Sequence, residues 1–169
     1  YTYLRASNRA SASSKIFFIL GVFMIVEKII TDASNEKIKD TITLTYHDRF
    51  IRRKKLVSDA KFEFLVNLPE TISLEEDSSF LLENGSVILI KYAKEPLLEI
   101  VSENLMKIVW HIGNRHIPCQ IELDRLLIQE DKVIEELIIK LGGKIKKINE
   151  KFCPVGGAYG LGRTHGHKH

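Results

Sequence analysis

Residues 97–148 read LLEIVSENLMKIVWHIGNRHIPCQIELDRLLIQEDKVIEELIIKLGGKIKKI, and the spacing of their apolar positions changes period repeatedly. Residues 97–101 form a short apolar run, which predicts a strand. Ser102 stands where a helix N-cap belongs, with Glu103 in the first turn. Leu105, Ile108, Val109 and Ile112 then recur at helical spacing, and Gly113 supplies a stop. Residues 120–124 and 125–129 read as two strands. Asp131 is placed to cap a second helix with Val133, Ile134, Leu137, Ile138 and Leu141 inward, and Gly142-Gly143 ends it. Residues 144–148 alternate as a last strand. The order β-α-β-β-α-β is that of the ferredoxin-like split unit.

Upstream the period is two. No helical spacing occurs between residues 41 and 92. The run TITLTY (41–46) alternates Thr with larger residues, and Phe62, Phe64 and Val66 alternate in the same way. Asn67-Leu68-Pro69 is expected to stop that strand, since Pro donates nothing to a ladder. Glu83-Asn84-Gly85 signals a turn before an apolar strand at 87–90. The fold class expected is therefore α+β. It comprises an all-β domain over residues 24–95, a ferredoxin-like domain over 96–153, and a flexible tail over 154–169 that holds five of the ten glycines.

Composition narrows the function. A chain of 169 residues that is 44% hydrophobic and nearly charge-balanced is not disordered as a whole. Two cysteines exclude a disulfide-dense scaffold and a four-Cys zinc site. The first residue is Tyr and the first methionine is Met24. The apolar run 16–26, IFFILGVFMIV, is too short to cross a bilayer as a helix. Residues 1–23 are expected to be an extension outside the working protein. A membrane-surface or export segment and a strand extension stand as alternatives. These residues carry Arg5, Arg9 and Lys15 and no acid, so they account for the whole formal charge of +3. From Met24 onward the charge is balanced, and neither nucleic acid nor membrane is expected as a partner.

Histidine is unevenly distributed. Three of the six stand at 165, 167 and 169, where alternate imidazoles on a mobile tail suit nickel, copper or zinc. A fragment of an expression tag is the other reading. His116 follows a helix end and a sharp turn and precedes Ile117-Pro118. Spacing alone leaves it either a structural residue bonding a carbonyl or a ligand paired with its mate across a two-fold axis. His111 and Cys119 are secondary candidates, His111 as an interface or structural residue and Cys119 as a thiolate or a small core residue. Cys153 has the same two readings, and His47 is expected on the surface. Residues 49–55, RFIRRKK, either face solvent or meet phosphate or an acidic protein. GxxxxGK[ST], GxSxG, HExxH and GxGxxG are absent, as is the aromatic signature of an RNA-binding sheet, so an enzyme finds no support.

The run WHIGNRHIPCQI (110–121), the stretch FCPVGGAY (152–159) and the tail ending in His resemble the urease accessory protein UreE family. LTYHDRFIRRKKL (44–56) and ENGSVILI (83–90) are similar to that family's N-terminal domain, and the resemblance covers residues 24–169. It implies a cytoplasmic nickel metallochaperone, not an enzyme, that delivers Ni²⁺ for assembly of the urease centre. It implies an N-terminal domain like the peptide-binding domain of chaperones, and a ferredoxin-like metal-binding domain. It also implies a homodimer in which the GNRH histidines of both subunits, here His116, share one metal, while His165, His167 and His169 add ligands. Nickel would pass to the accessory GTPase UreG, acting with the urease apoprotein and its accessory complex. Zn²⁺ and Cu²⁺ are competitors that imidazole also accepts. One departure is Glu130-Asp131-Lys132, where some members carry an Asp-His pair, which weakens the case for an accessory site there. The alternative function is a peptide-binding co-chaperone whose tail only buffers metal.

Overall fold

The computed structural model describes residues 24–31 and 37–156. The strands of the first part are β1 (Met24–Val26), β2 (Lys28–Ile30), β3 (Lys37–Leu44), β4 (Phe50–Val57), β5 (Glu63–Ser73), β6 (Ser79–Leu81) and β7 (Ser86–Tyr92). Then follow β8 (Lys94–Val101), α1 (Leu105–Gly113), β9 (Gln120–Ile121), β10 (Leu126–Gln129), α2 (Lys132–Lys140) and β11 (Lys144–Lys151). Strands dominate and two α-helices lie in the second half, so the class is α+β. No helix among the described residues is long and apolar enough to cross a membrane.

The first part builds two sheets, ordered β1-β5-β4 and β2-β6-β7-β3. Met24 belongs to the fold. β1 runs parallel to β5 with Met24 opposite Phe64, and Val26 is wholly buried. Val26, Ile42, Phe64, Val66, Phe80, Ile88 and Ile90 form one core between the sheets, the apolar halves of alternating strands. Contrary to expectation, β5 does not stop at Pro69. The β4–β5 register jumps from Arg53↔Asn67 to Ile51↔Ile72, so the proline sits in an irregularity where it has no ladder bond to lose.

Arg49 also departs from expectation. The basic run was read as one solvent-facing or partner-facing stretch, but only residues 52–55 lie outside. Arg49 ends a short 3-10 turn (His47–Arg49) and is 4% exposed. The turn directs its side chain inward, against the ring of Tyr92 at 3.7 Å. His47 is exposed, as predicted.

The second part is one antiparallel sheet ordered β11-β8-β10-β9. Both helices cover the same face, burying Leu98, Ile100, Ile108, Ile112, Leu126, Ile128, Ile134 and Ile138. Four details differ from the sequence reading. Asn104, not Ser102, caps α1, its Oδ1 accepting from the Lys107 amide at 3.1 Å, while Ser102 Oγ accepts from the Asn104 amide. Three adjacent residues could each have capped, and the one nearest the apolar stripe does. The strand expected over 120–124 stops at Ile121, because the Glu122 amide already bonds the Arg125 carbonyl at 3.0 Å and turns the chain. Val133 is exposed rather than inward, since Ile134 and Ile138 carry the buried stripe of α2. The halt at Gly113 is described below.

Asp131 caps α2 as read, its Oδ1 accepting from the Val133 and Ile134 amides at 2.8 and 3.1 Å. Asp131→Ala is expected to lower stability by about 1 kcal/mol, measurable in a denaturant titration; no change would remove the cap from the account.

On its other face the sheet carries Leu97, Leu127 and Phe152, packed with Tyr46 and Ile148. This cluster joins the two parts. The Tyr46 amide donates to Glu95 Oε1 at 2.9 Å, and Lys151 Nζ meets Glu76 Oε1 at 2.6 Å. Further along the same face Arg125 bridges Glu99, Glu122 and Glu150.

Candidate metal centre

The last turn of α1 closes in an unusual way. The His116 amide donates to the Gly113 carbonyl at 2.9 Å and the Ile117 amide reaches back to the Ile112 carbonyl at 3.4 Å. This nested pair is a Schellman closure, and it requires a left-handed residue between the two donors. That residue is His116, with φ of 55°. The stop expected of Gly113 thus falls three residues later, on a residue with a Cβ. A left-handed conformation is unfavourable for such a residue by about 1 kcal/mol or more, and strain of this kind gathers at functional positions. The His116 side chain is exposed, while Ile117 packs against the core beneath the helices and holds the loop in place.

His111 lies on α1, half-buried, its ring edge-on to Trp110 at 5.0 Å. Its carbonyl accepts from Arg115 Nη1 at 2.9 Å, which braces the loop from the helix side. The outer face of α1 carries a second signal that the sequence reading left unused. Met106 and Trp110, one turn apart, are 80% and 63% exposed. Two large apolar side chains at i and i+4 beside His116 make a face suited to burial against another surface.

Cys119 is buried within the core under the helices. Burial pushes its thiol pKa from 9.0 to about 11, so the thiolate that a metal takes is disfavoured there. Cys153 is exposed. In the native protein a thiol reagent at neutral pH is expected to label Cys153 and leave Cys119 until the chain unfolds; equal labelling rates would contradict this. Because the folded protein holds the Cys119 proton more tightly than the unfolded chain does, this thiol supports the fold below pH 9.0, and that support is lost as pH rises through about 11.

The residues after β11 return to this loop. The Phe152 ring is buried, the Cys153 amide donates to Gln120 Oε1 at 2.7 Å, and the Val155 amide donates to the Cys119 carbonyl at 2.9 Å. The chain therefore reaches Gly156 alongside Cys119, three residues beyond His116. Three extended residues span at most about 11 Å. His165, His167 and His169 lie outside the described residues. Among the described residues no three His, Cys, Asp or Glu side chains come together to hold a metal. At the start of α2, the Asp131 carboxylate is occupied with capping.

These features describe a strand-rich α+β protein with one exposed histidine in a strained helix closure and a tail rooted beside it. A family profile described as UreE urease accessory protein, C-terminal domain, matches residues 95–169. The urease accessory protein UreE of Ruegeria pomeroyi is 51% identical over 77% of this chain and 87% of its own length. That of Rhodobacter capsulatus is 48% identical over 77% of this chain and 83% of its own. That of Paracoccus denitrificans is 46% identical over 73% and 79%. The class is thus that of the urease accessory proteins. Within it, the chain belongs to the UreE family.

Proposed function

We propose that this chain is a nickel chaperone that binds Ni²⁺ for urease maturation and carries out no catalysis of its own. In this reading residues 24–95 form a peptide-binding-like β domain, residues 96–153 a ferredoxin-like metal-binding domain, and residues 154–169 a histidine tail. Two copies pair across the outer face of α1, where Met106 and Trp110 offer apolar surface, and the two His116 imidazoles share one ion. His165, His167 and His169 add ligands, because a tail leaving beside Cys119 has ample length to reach the His116 loop. Ni²⁺ then passes to the accessory GTPase UreG and the apo-urease complex in the cytoplasm. Zn²⁺ and Cu²⁺ compete for the same imidazoles, so partner and supply decide the cargo.

The observation that carries this reading is the left-handed conformation of His116. Glycine would relieve it, and the strain is intelligible if the imidazole is needed at that point. The test is nickel stoichiometry measured alongside the mass of the particle in solution. A dimer that loses its shared ion on His116→Ala is expected. A monomer, or an unchanged stoichiometry, would sink the interface site.

A further inference from the structure

Arg49 is a buried cation in an expensive setting. Among the described residues no carboxylate lies within ion-pair distance of it, and its Nε has no hydrogen-bond partner. Its charge rests on the Tyr92 ring at 3.7 Å and lies 5.2 Å from that of Tyr46. Its one hydrogen bond is from Nη2 to the carbonyl of Phe152, at 2.5 Å. Burying a guanidinium for a single carbonyl is unfavourable beside an apolar residue of similar length. A gain in packing does not account for it; the position of that carbonyl does.

Phe152 is the root of the tail. Its carbonyl is held by Arg49 from the β-rich part, and the next amide, that of Cys153, is held by Gln120 from β9. Gln120 is itself fixed, its Nε2 donating to Glu122 Oε1 at 2.6 Å. The two contacts grip one peptide unit from opposite sides, immediately before the chain runs past Cys119 toward the histidines.

We propose that Arg49 and Gln120 are positioning residues for the metal: they fix the point from which the histidine tail departs, so that its imidazoles and His116 act on one ion. This rests on the reading of the tail histidines as ligands. It makes the β-rich part of the chain a determinant of metal binding, although it supplies no ligand. Anything that displaces Arg49 from Phe152 would lower the effective concentration of the tail at His116 and loosen the cargo without touching a ligand.

The test is a double-mutant cycle on the full chain with Ni²⁺ as the probe, read by calorimetry. The variants are Arg49→Met, the triple His165/His167/His169→Ala, and their combination, each checked for its melting transition. Arg49→Met is expected to weaken nickel binding about five- to tenfold while the tail histidines are present and to have no further effect once they are gone. Arg49→Lys, which keeps a donor, should recover part of the loss. If the triple variant binds nickel like the parent, the ligand reading of the tail fails and the positioning role falls with it. If the triple variant weakens binding and Arg49→Met does not, or adds an independent loss, the positioning role alone is overturned. Should Arg49→Met not fold, Gln120→Leu carries the same expectation, and an undiminished tail contribution in that protein overturns the proposal.

Discussion

Replacing His116 with glycine is expected to leave the metal-free fold as stable as before or firmer, and to weaken nickel binding by about 100-fold. The two effects have separate causes. Glycine adopts the left-handed conformation of the helix closure without penalty, which returns about 1 kcal/mol, partly offset by the greater freedom of glycine in the unfolded chain. Ligand loss acts twice per ion if both subunits contribute, so it exceeds the ten- to hundredfold typical of losing a supporting contact around a metal. His116→Ala separates the terms, since alanine keeps the strain and loses the imidazole. Thermal denaturation of the apo protein and nickel calorimetry on all three chains check the expectation. A glycine variant that is clearly less stable would mean the imidazole holds the loop. One that binds nickel normally would remove His116 from the site.

Phe152→Ala is expected to have the largest effect on stability, about 3–5 kcal/mol in a urea titration. The ring is fully buried and packs edge-on to Tyr46 at 5.2 Å, beside Leu97 and Leu127. Truncation leaves a cavity where the two parts of the chain meet, and the small cluster has few neighbours able to collapse into it. It also unseats the carbonyl that Arg49 holds. The transition is therefore expected to broaden as the two parts lose cooperativity. A loss below about 1 kcal/mol would show that the junction contributes little to the fold.

Much of the second half was legible in the sequence because its periods are clean. The buried stripes Ile108/Ile112 and Ile134/Ile138 recur at helical spacing, and Asp131 is the only capping residue adjoining its helix. What escaped has identifiable physical reasons. At α1 three consecutive residues could each cap. Gly113 looked like the stop because glycine is the usual left-handed residue, while a histidine in that role has no local sign. Pro69 looked like a terminator because a register jump is invisible in one strand alone. Arg49 looked solvated because it opens a basic run; its burial depends on a turn and on two tyrosines, one of them far along the chain. Of the site, His116 and the tail histidines could be singled out by type and spacing. The strap through Gln120 and Cys119 could not, since it consists of backbone bonds between segments distant in sequence. Met106 and Trp110 were readable in principle, as large apolar residues off the inward stripe of α1.

The sheet borders have a consequence for solubility. Because the chain from Met24 onward is charge-balanced, it has no overall repulsion to keep molecules apart at high concentration. Among the described residues the rims are the places where a second molecule could add a strand. β1, β2 and β9 are two or three residues long, too short to serve as templates. The long rims are β4, with Arg52, Arg53, Lys54 and Lys55, β11, with Lys144, Lys146, Lys147 and Lys151, and β3, with Lys37 and Lys39. Lysine and arginine along a rim oppose edge-to-edge aggregation through local like-charge repulsion and hydration. Colloidal stability in this protein is thus a matter of where its cations stand rather than of how many there are.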